Sequence, residues 1–142
     1  MSADHRKPFH GRAFAYDRCG YQLGTHLFPG LEIFETSTGD DEVFGDDRAN
    51  TFWTWDGNDV IYGYGGNDTI LGMIGDDQMY GGDGDDELSG QAGSDRFDGG
   101  AGFDRINAQH DAMDRDTAID CGPGGGTLVD RDSVDPQGQM CM

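Results

Sequence analysis

Residues 36–107 read, in blocks of nine, TSTGDDEVF GDDRANTFW TWDGNDVIY GYGGNDTIL GMIGDDQMY GGDGDDELS GQAGSDRFD GGAGFDRIN. Three columns recur down these eight blocks: glycine at position four, aspartate at position six and an apolar residue at position eight. The exceptions are Arg48 in the glycine column and Asn50 in the aspartate column. One apolar residue in every nine matches neither a helix nor a long strand. The pattern predicts three-residue strands with one inward side chain each, separated by six-residue turns in which glycine permits positive φ.

The composition explains why such a chain needs a cation. Its 142 residues are one domain's worth, and they include 25 glycines and carry a formal charge of −19. No apolar run approaches the ~20 residues of a membrane span, and nucleic acid phosphates would repel so negative a chain. A hydrophobic content of only 35 % favours disorder unless something neutralises the charge. The aromatic content of 11 % nevertheless indicates that the chain folds under some condition.

The blocks at 81–89 and 99–107 match the pattern G-G-x-G-x-D-x-U-x in full, and the chain resembles the repeats-in-toxin (RTX) family of calcium-binding repeats. The resemblance implies an all-β fold, a parallel β-roll (a right-handed β-solenoid) of about four coils with irregular N- and C-terminal caps. Two consecutive blocks would form one coil, so that residues 18 apart become neighbours at about 4.8 Å in the same sheet.

The resemblance also implies the metal ligands. Each calcium ion would take the carbonyls of positions two and four and the position-six side chain of one turn. It would also take the carbonyls of positions one and three and the position-six side chain of the turn 18 residues on. The first flank of the roll then offers the pairs Asp41–Asp59, Asp59–Asp77 and Asp77–Asp95, and the second flank offers Asn50–Asp68, Asp68–Asp86 and Asp86–Asp104.

These pairs give up to six calcium sites, of which the Asn50 site should be the weakest, because it lacks one charge and its turn has Arg48 in place of glycine. Carbonyl ligands are predicted for four of these sites. They are Trp55, Gly57, Gly72 and Ile74 for Asp59–Asp77; Met73, Gly75, Gly90 and Ala92 for Asp77–Asp95; Tyr64, Gly66, Gly81 and Asp83 for Asp68–Asp86; and Gly82, Gly84, Gly99 and Ala101 for Asp86–Asp104.

Other chemistry finds little support in the sequence. A glycosidase would need one distinct pair of carboxylates, whereas nearly every pair here belongs to the repeat. The sequence contains no phosphate-binding G-x-x-x-x-G-K-[ST] loop, no G-x-S-x-G elbow and no EF-hand loop. We therefore expect no catalytic residues, no organic cofactor and no enzymatic activity.

The flanking segments are expected to cap the roll, because a solenoid leaves strand edges at both ends. Residues 1–35 are predicted to form an N-terminal cap or a contact segment, residues 36–107 the calcium-binding roll, and residues 108–142 degenerate turns and a C-terminal cap. After residue 107 the register slips by four, which places Ile119 and Leu128 in the inward column and Gly126 in the aspartate column. We expect no calcium at Gly126.

Large apolar residues also occur on the predicted outer surface, at positions nine and two. They could bind a second copy of the chain or another surface, or be covered by the N-terminal segment. They are Phe44, Trp53, Trp55, Tyr62, Tyr64 and Tyr80.

Calcium concentrations that fill such a roll are extracellular, and that space is also oxidising. We therefore predict a disulfide between Cys121 and Cys141, with Cys19 free or bonded to another chain. The expected protein is a secreted, non-catalytic β-roll that folds on binding calcium, although no Sec-type signal peptide is visible. The alternatives are an adhesive or structural assembly protein (a filament, surface-layer or phage-particle component) and the C-terminal module of a larger secreted enzyme.

Overall fold

The computed structural model describes residues 14–16, 32–36, 38–108, 116, 118–124 and 126–131. The regular secondary structure of these residues consists of strands alone, as the repeat predicts. Among them there is no helix long and apolar enough to span a membrane. The strands are β1 (Phe14–Tyr16), β2 (Glu32–Glu35), β3 (Glu42–Phe44), β4 (Asn50–Trp53), β5 (Val60–Gly65), β6 (Thr69–Ile74), β7 (Gln78–Asp83), β8 (Glu87–Ala92), β9 (Arg96–Ala101), β10 (Asp104–Ala108), β11 (Ala118–Asp120) and β12 (Gly126–Arg131).

Consecutive strands alternate between two six-stranded sheets. One sheet has the order β1-β3-β5-β7-β9-β11 and the other β12-β10-β8-β6-β4-β2. Every pairing is parallel except that of β1 with β3, which is antiparallel. This arrangement is a β-solenoid of about four coils with two blocks per coil, and it confirms the predicted β-roll.

The pairing register places equivalent positions of alternate blocks side by side. Ile61 lies opposite Met79 in one sheet, and Ile70 lies opposite Leu88 in the other. The position-eight side chains of all eight blocks point between the two sheets, where each is at most 1 % exposed. A one-residue slip would turn this whole column outward, so the burial fixes the register. The column comprises Val43, Phe52, Ile61, Ile70, Met79, Leu88, Phe97 and Ile106.

The strands are longer than the predicted three residues. From β5 to β9 each strand has six residues, because pairing resumes at positions two and three of the next block. Tyr64 lies opposite Gly82, for example, and Gly65 opposite Asp83. The sheets therefore extend into what the sequence pattern assigned to the turns.

Position four requires glycine for two reasons, as Gly84 shows. Its φ is +137°, a conformation that side chains with a Cβ rarely adopt. A Cβ added there would also overlap the carbonyl oxygen of Gly66 in the preceding turn of the same flank. Glycine is therefore needed both for the path of the turn and for the close stacking of one turn on the next.

The pairing continues beyond the repeats with the four-residue slip that the sequence predicts. Ile119 lies opposite Phe97, and Leu128 lies opposite Ile106, in both cases 22 residues apart instead of 18. Gly126 lies opposite Asp104, in the aspartate column. At the other end, β1 adds an antiparallel strand to the edge of β3. The proposed boundaries of the caps stay a prediction.

Aromatic side chains form a ladder on the outer face of the first sheet. The ring of Tyr62 stacks between those of Phe44 and Tyr80, with centroid distances of 5.3 and 5.0 Å. Trp55 and Tyr64 are among the most exposed large apolar side chains of the described residues, at 45 % and 47 %. The predicted apolar surface thus exists, but nothing among the described residues supports a partner that covers it.

Candidate metal centres

The position-six side chains form one hydrogen-bonded column on each flank. In each pair, the backbone N–H of one residue donates to Oδ1 of the aspartate 18 residues later, at 2.7–3.0 Å. All the predicted pairs are brought together in this way: Asp41–Asp59, Asp59–Asp77 and Asp77–Asp95 on the first flank, and Asn50–Asp68, Asp68–Asp86 and Asp86–Asp104 on the second. Every one of these side chains is at least 97 % buried.

The second carboxylate oxygen differs sharply from the first. In five of these aspartates Oδ2 is buried and accepts no hydrogen bond from the part of the chain that the structure describes; they are Asp59, Asp68, Asp77, Asp86 and Asp104. A buried carboxylate oxygen without a donor is costly, and the cost is larger when the group is charged. A cation bound between the turns would provide the missing partner.

The electrostatics of the columns point the same way. Burial raises the pKa of Asp77 from 3.8 to about 8, and repulsion from Asp95 and Asp59 adds to the effect, while the N–H of Asp59 opposes it. Burial likewise raises the pKa of Asp68 to about 7 and that of Asp86 to about 6, in each case with a neighbouring carboxylate adding repulsion. Without a cation, burial therefore shifts these carboxyl groups toward the protonated form, and the shift is largest for Asp77.

The predicted carbonyl ligands lie at the points where successive turns touch. The carbonyl of Trp55 accepts the N–H of Ile74 at 2.8 Å, and that of Ile74 accepts the N–H of Gly57 at 2.9 Å. The carbonyls of Ala92 and Ala101 also accept one N–H each from the preceding turn of their flank. A carbonyl oxygen has two lone pairs, so each of these retains one for a metal ion.

Position two adopts a left-handed backbone even where the residue is not glycine. The φ angles of Trp55, Tyr64 and Met73 are +67°, +78° and +79°, and the glycine at the same position in a later turn, Gly82, has +111°. A left-handed conformation costs a residue with a Cβ about 1–2 kcal/mol. The turn thus keeps the path that directs its carbonyls between the turns, in spite of these side chains.

Glycine at position one leaves a space that is bordered by oxygen atoms. A Cβ added at Gly63 would overlap both Oδ2 of Asp68 and the carbonyl oxygen of Gly81. Both of these oxygens are predicted ligands of the same calcium ion. No three acidic, histidine or cysteine side chains converge within the described residues, so the backbone must supply most of the ligands. Such a mixture of carboxylate and carbonyl oxygens suits calcium.

The turn before Asn50 is built differently. Asp46 and Arg48 are not among the described residues with positive φ. Instead the N–H of Asp46 donates to Oδ1 of Asn50 at 2.9 Å, and the N–H of Arg48 donates to Oδ1 of Asp46 at 2.9 Å. The guanidinium of Arg48 lies 3.9 Å from Oδ2 of Asp46. This turn is therefore held partly by its own side chains and lacks the positive φ angles of the later turns. The carbonyl of Asp46 nevertheless accepts the N–H of Gly65 at 3.1 Å, as the carbonyl of Trp55 accepts that of Ile74.

The first flank contains one aspartate that sequence reasoning missed. The N–H of Asp95 donates to Oδ1 of Asp116 at 2.9 Å, and Asp116 is 1 % exposed. It continues the column beyond the repeats, although it stands one residue before the place that the four-residue slip assigns to position six. Its presence was visible in the sequence, but its register was not.

A second ladder, at position five, was also missed. On the exposed edge of the first flank, Asp40, Asn58 and Asp76 each accept, through Oδ1, the backbone N–H of the residue 18 positions later, at 2.8–3.0 Å. On the second flank, Asn67 and Asp85 do the same. The recurrence of Asp or Asn at position five is the signal that would have revealed this ladder.

Comparison with protein families agrees with this geometry. The family model of the RTX calcium-binding nonapeptide repeat, which represents four copies, matches twice, over residues 35–70 and 71–106. The chain belongs to the RTX repeat family. The matched RTX segments make up about half of the 142 residues and coincide with β3 to β10 and the turns between them. Comparisons with curated proteins and with solved structures find no significant match.

Membership of the RTX family implies calcium binding, and the residues of this chain fit that ion. In five of the described position-six aspartates the buried Oδ2 lacks a donor, and for Asp68, Asp77, Asp86 and Asp104 the glycine at position one leaves room for that oxygen. Calcium would supply the positive charge that these carboxylates need. Cys121 is buried, at 4 % exposed. The predicted Cys121–Cys141 disulfide remains untested, because Cys19 and Cys141 lie outside the described residues.

Proposed function

We propose that this protein is a non-catalytic, extracellular β-roll that folds when calcium binds between its stacked turns. The observation that carries the proposal is the two columns of buried aspartates, in which Oδ1 is held by the neighbouring turn and Oδ2 has no hydrogen-bond donor in five described members. The ions would join each turn to the turn 18 residues later, so that calcium completes the contact between coils.

Charge explains why folding would depend on the ion. With a net charge of −19, compaction brings like charges together, and the columns bury carboxylates that would otherwise be hydrated. Anything that binds only the folded state stabilises it by mass action. Calcium is scarce in the cytosol and abundant outside cells, so the chain would stay unfolded before export and fold afterwards.

We assign up to six calcium sites and regard the Asn50–Asp68 site as the weakest. The support for this ranking is the hydrogen-bonded turn formed by Asp46 and Arg48, which lacks the left-handed residues of the later turns. The strongest sites on the second flank would be Asp68–Asp86 and Asp86–Asp104, since both follow turns with glycine at positions one and four.

Circular dichroism with chelator and then with excess calcium tests the proposal. We expect little strand signal in chelator and a strand spectrum after calcium is added. Magnesium at the same concentration is the matched control, because it prefers a smaller octahedral site and retains its water. A strand spectrum that persists unchanged in chelator at neutral pH would contradict calcium-dependent folding.

The assembly alternative rests on the exposed side chains of Trp55 and Tyr64. Light scattering of the calcium-loaded protein separates the two functions: a 15.4 kDa monomer favours the calcium-folded module, whereas a polymer favours an adhesive or structural assembly. A gene that encodes a catalytic domain before this segment would favour the third alternative, the C-terminal module of a secreted enzyme.

A further inference from the structure

Threonine replaces glycine at position one in two turns of the first flank. Thr36 and Thr54 occupy this position in the first two turns, and glycine occupies it in the next two, at Gly72 and Gly90. Thr54 is fully buried. The second flank has glycine at position one in all four of its turns.

Both threonine hydroxyls donate to a carbonyl of the following turn. Oγ1 of Thr36 donates to the carbonyl oxygen of Thr54 at 2.8 Å, and Oγ1 of Thr54 donates to that of Gly72 at 3.1 Å. In each case the acceptor is the position-one carbonyl 18 residues later. In the glycine turns of the second flank, the equivalent carbonyl lies with the aspartate Oδ2 at the point that a Cβ would occupy, as Gly81 and Asp68 do at Gly63.

The glycine turns show what the threonine side chain displaces. A Cβ added at Gly72 would overlap Oδ2 of Asp77, and one added at Gly90 would overlap Oδ2 of Asp95. Thr54 carries a Cβ at the equivalent point, beside Asp59. Burial raises the pKa of Asp59 to about 6, and the nearby Thr54 side chain is among the groups that lower it. The threonine side chain therefore lies beside Asp59 and contacts the carbonyl of Gly72.

We propose that Thr36 and Thr54 take the place of calcium at the Asp41–Asp59 and Asp59–Asp77 pairs. This inference rests on the proposed calcium binding. The threonine hydroxyl bridges the two turns without an ion. The carbon atoms of the threonine side chain occupy the place in which a calcium ion would bind both the aspartate oxygen and the carbonyl oxygen. The remaining pairs with two carboxylates and glycine at position one are three: Asp77–Asp95, Asp68–Asp86 and Asp86–Asp104.

The consequence is a roll with two kinds of coil. The N-terminal coil is held on the first flank by the threonine hydroxyls and on the second by Asp46, Arg48 and Asn50. The later coils depend on calcium. The N-terminal coil would then present an ordered edge to the coils that follow without requiring metal itself.

Counting bound calcium by native mass spectrometry and calorimetry tests this inference. We expect the unaltered protein to bind three ions tightly, and Thr54→Gly to bind one more, at Asp59–Asp77. The reciprocal variant, Gly72→Thr, should bind one ion fewer, because the new side chain would fill the space beside Asp77. Gly65→Thr is the matched control. The heavy atom nearest to a Cβ at Gly65 is the Cα of Asp47, at 3.5 Å, so the number of bound calcium ions should not change.

The outcomes separate this inference from the proposed function. A protein that binds no calcium at all would overturn the proposed function, whereas six tightly bound ions in the unaltered protein would overturn only the role of the threonines. If Thr54→Gly binds fewer ions, the hydroxyl is a ligand and the inference is wrong. If that variant does not fold, Gly72→Thr decides alone, and retention of every ion in it would contradict the inference.

Discussion

Replacing Asp86 by asparagine should remove more calcium than any other single change of charge on the second flank. Asp86 belongs to two pairs, since its Oδ1 accepts the N–H of Asp68 at 2.7 Å and its own N–H donates to Asp104 at 3.0 Å. Two of the three pairs that keep two carboxylates and glycine at position one share this carboxylate. Asparagine retains the acceptor for Asp68, which avoids the cost of about 1–3 kcal/mol of a buried N–H without a partner. The variant therefore isolates the effect of the charge.

Calorimetric titration with calcium measures the result. We expect Asp86→Asn to bind two ions fewer than the unaltered protein and to need more calcium to develop its strand spectrum. Asp85→Asn is the matched control: it removes a charge one residue away, on an exposed side chain whose Oδ1 accepts the N–H of Phe103, a contact that asparagine preserves. Equal stoichiometry in Asp86→Asn and Asp85→Asn would refute the assignment of the aspartate column.

Three further predictions follow from the turns and the C-terminal segment. Because burial raises the pKa of Asp77 from 3.8 to about 8, the folded metal-free chain binds more protons than the unfolded chain between these values, and its stability falls as pH rises. The strand signal in chelator should therefore be stronger near about pH 5 than near pH 8; a signal independent of pH would contradict the role of the column. Gly84→Ala should destabilise the calcium-loaded protein by about 1–3 kcal/mol through its positive φ, with additional cost from overlap with the preceding turn, whereas Gly65→Ala should have little effect; equal melting temperatures would show that position four tolerates a Cβ. A Cys121–Cys141 disulfide should contribute about 3 kcal/mol, and peptide mapping that finds three free thiols in secreted material would exclude it.

The sequence determined the repeat, and with it most of the architecture. A column of apolar residues spaced by nine predicts one buried side chain per strand, and all eight of these side chains are buried. The glycine column was readable because a turn with positive φ and close stacking strongly favours glycine, as seven of the eight blocks show at position four. The four-residue shift of the register before Ile119 and Leu128 could also be predicted, because each of these apolar residues stands next to turn residues and so fits the inward column.

Tertiary structure decided what the exceptions in the repeat do. Thr54, Asp46 and Asp116 look like departures or ordinary polar residues in the sequence, because their roles depend on atoms of turns 18 or more residues away, or on the local path of the backbone. The direction of the Thr54 hydroxyl, toward the carbonyl of Gly72, follows only from the stacking of one coil on the next. A one-dimensional pattern records which residue types recur at a spacing, whereas the orientation of a side chain between two turns is fixed by the packing of both.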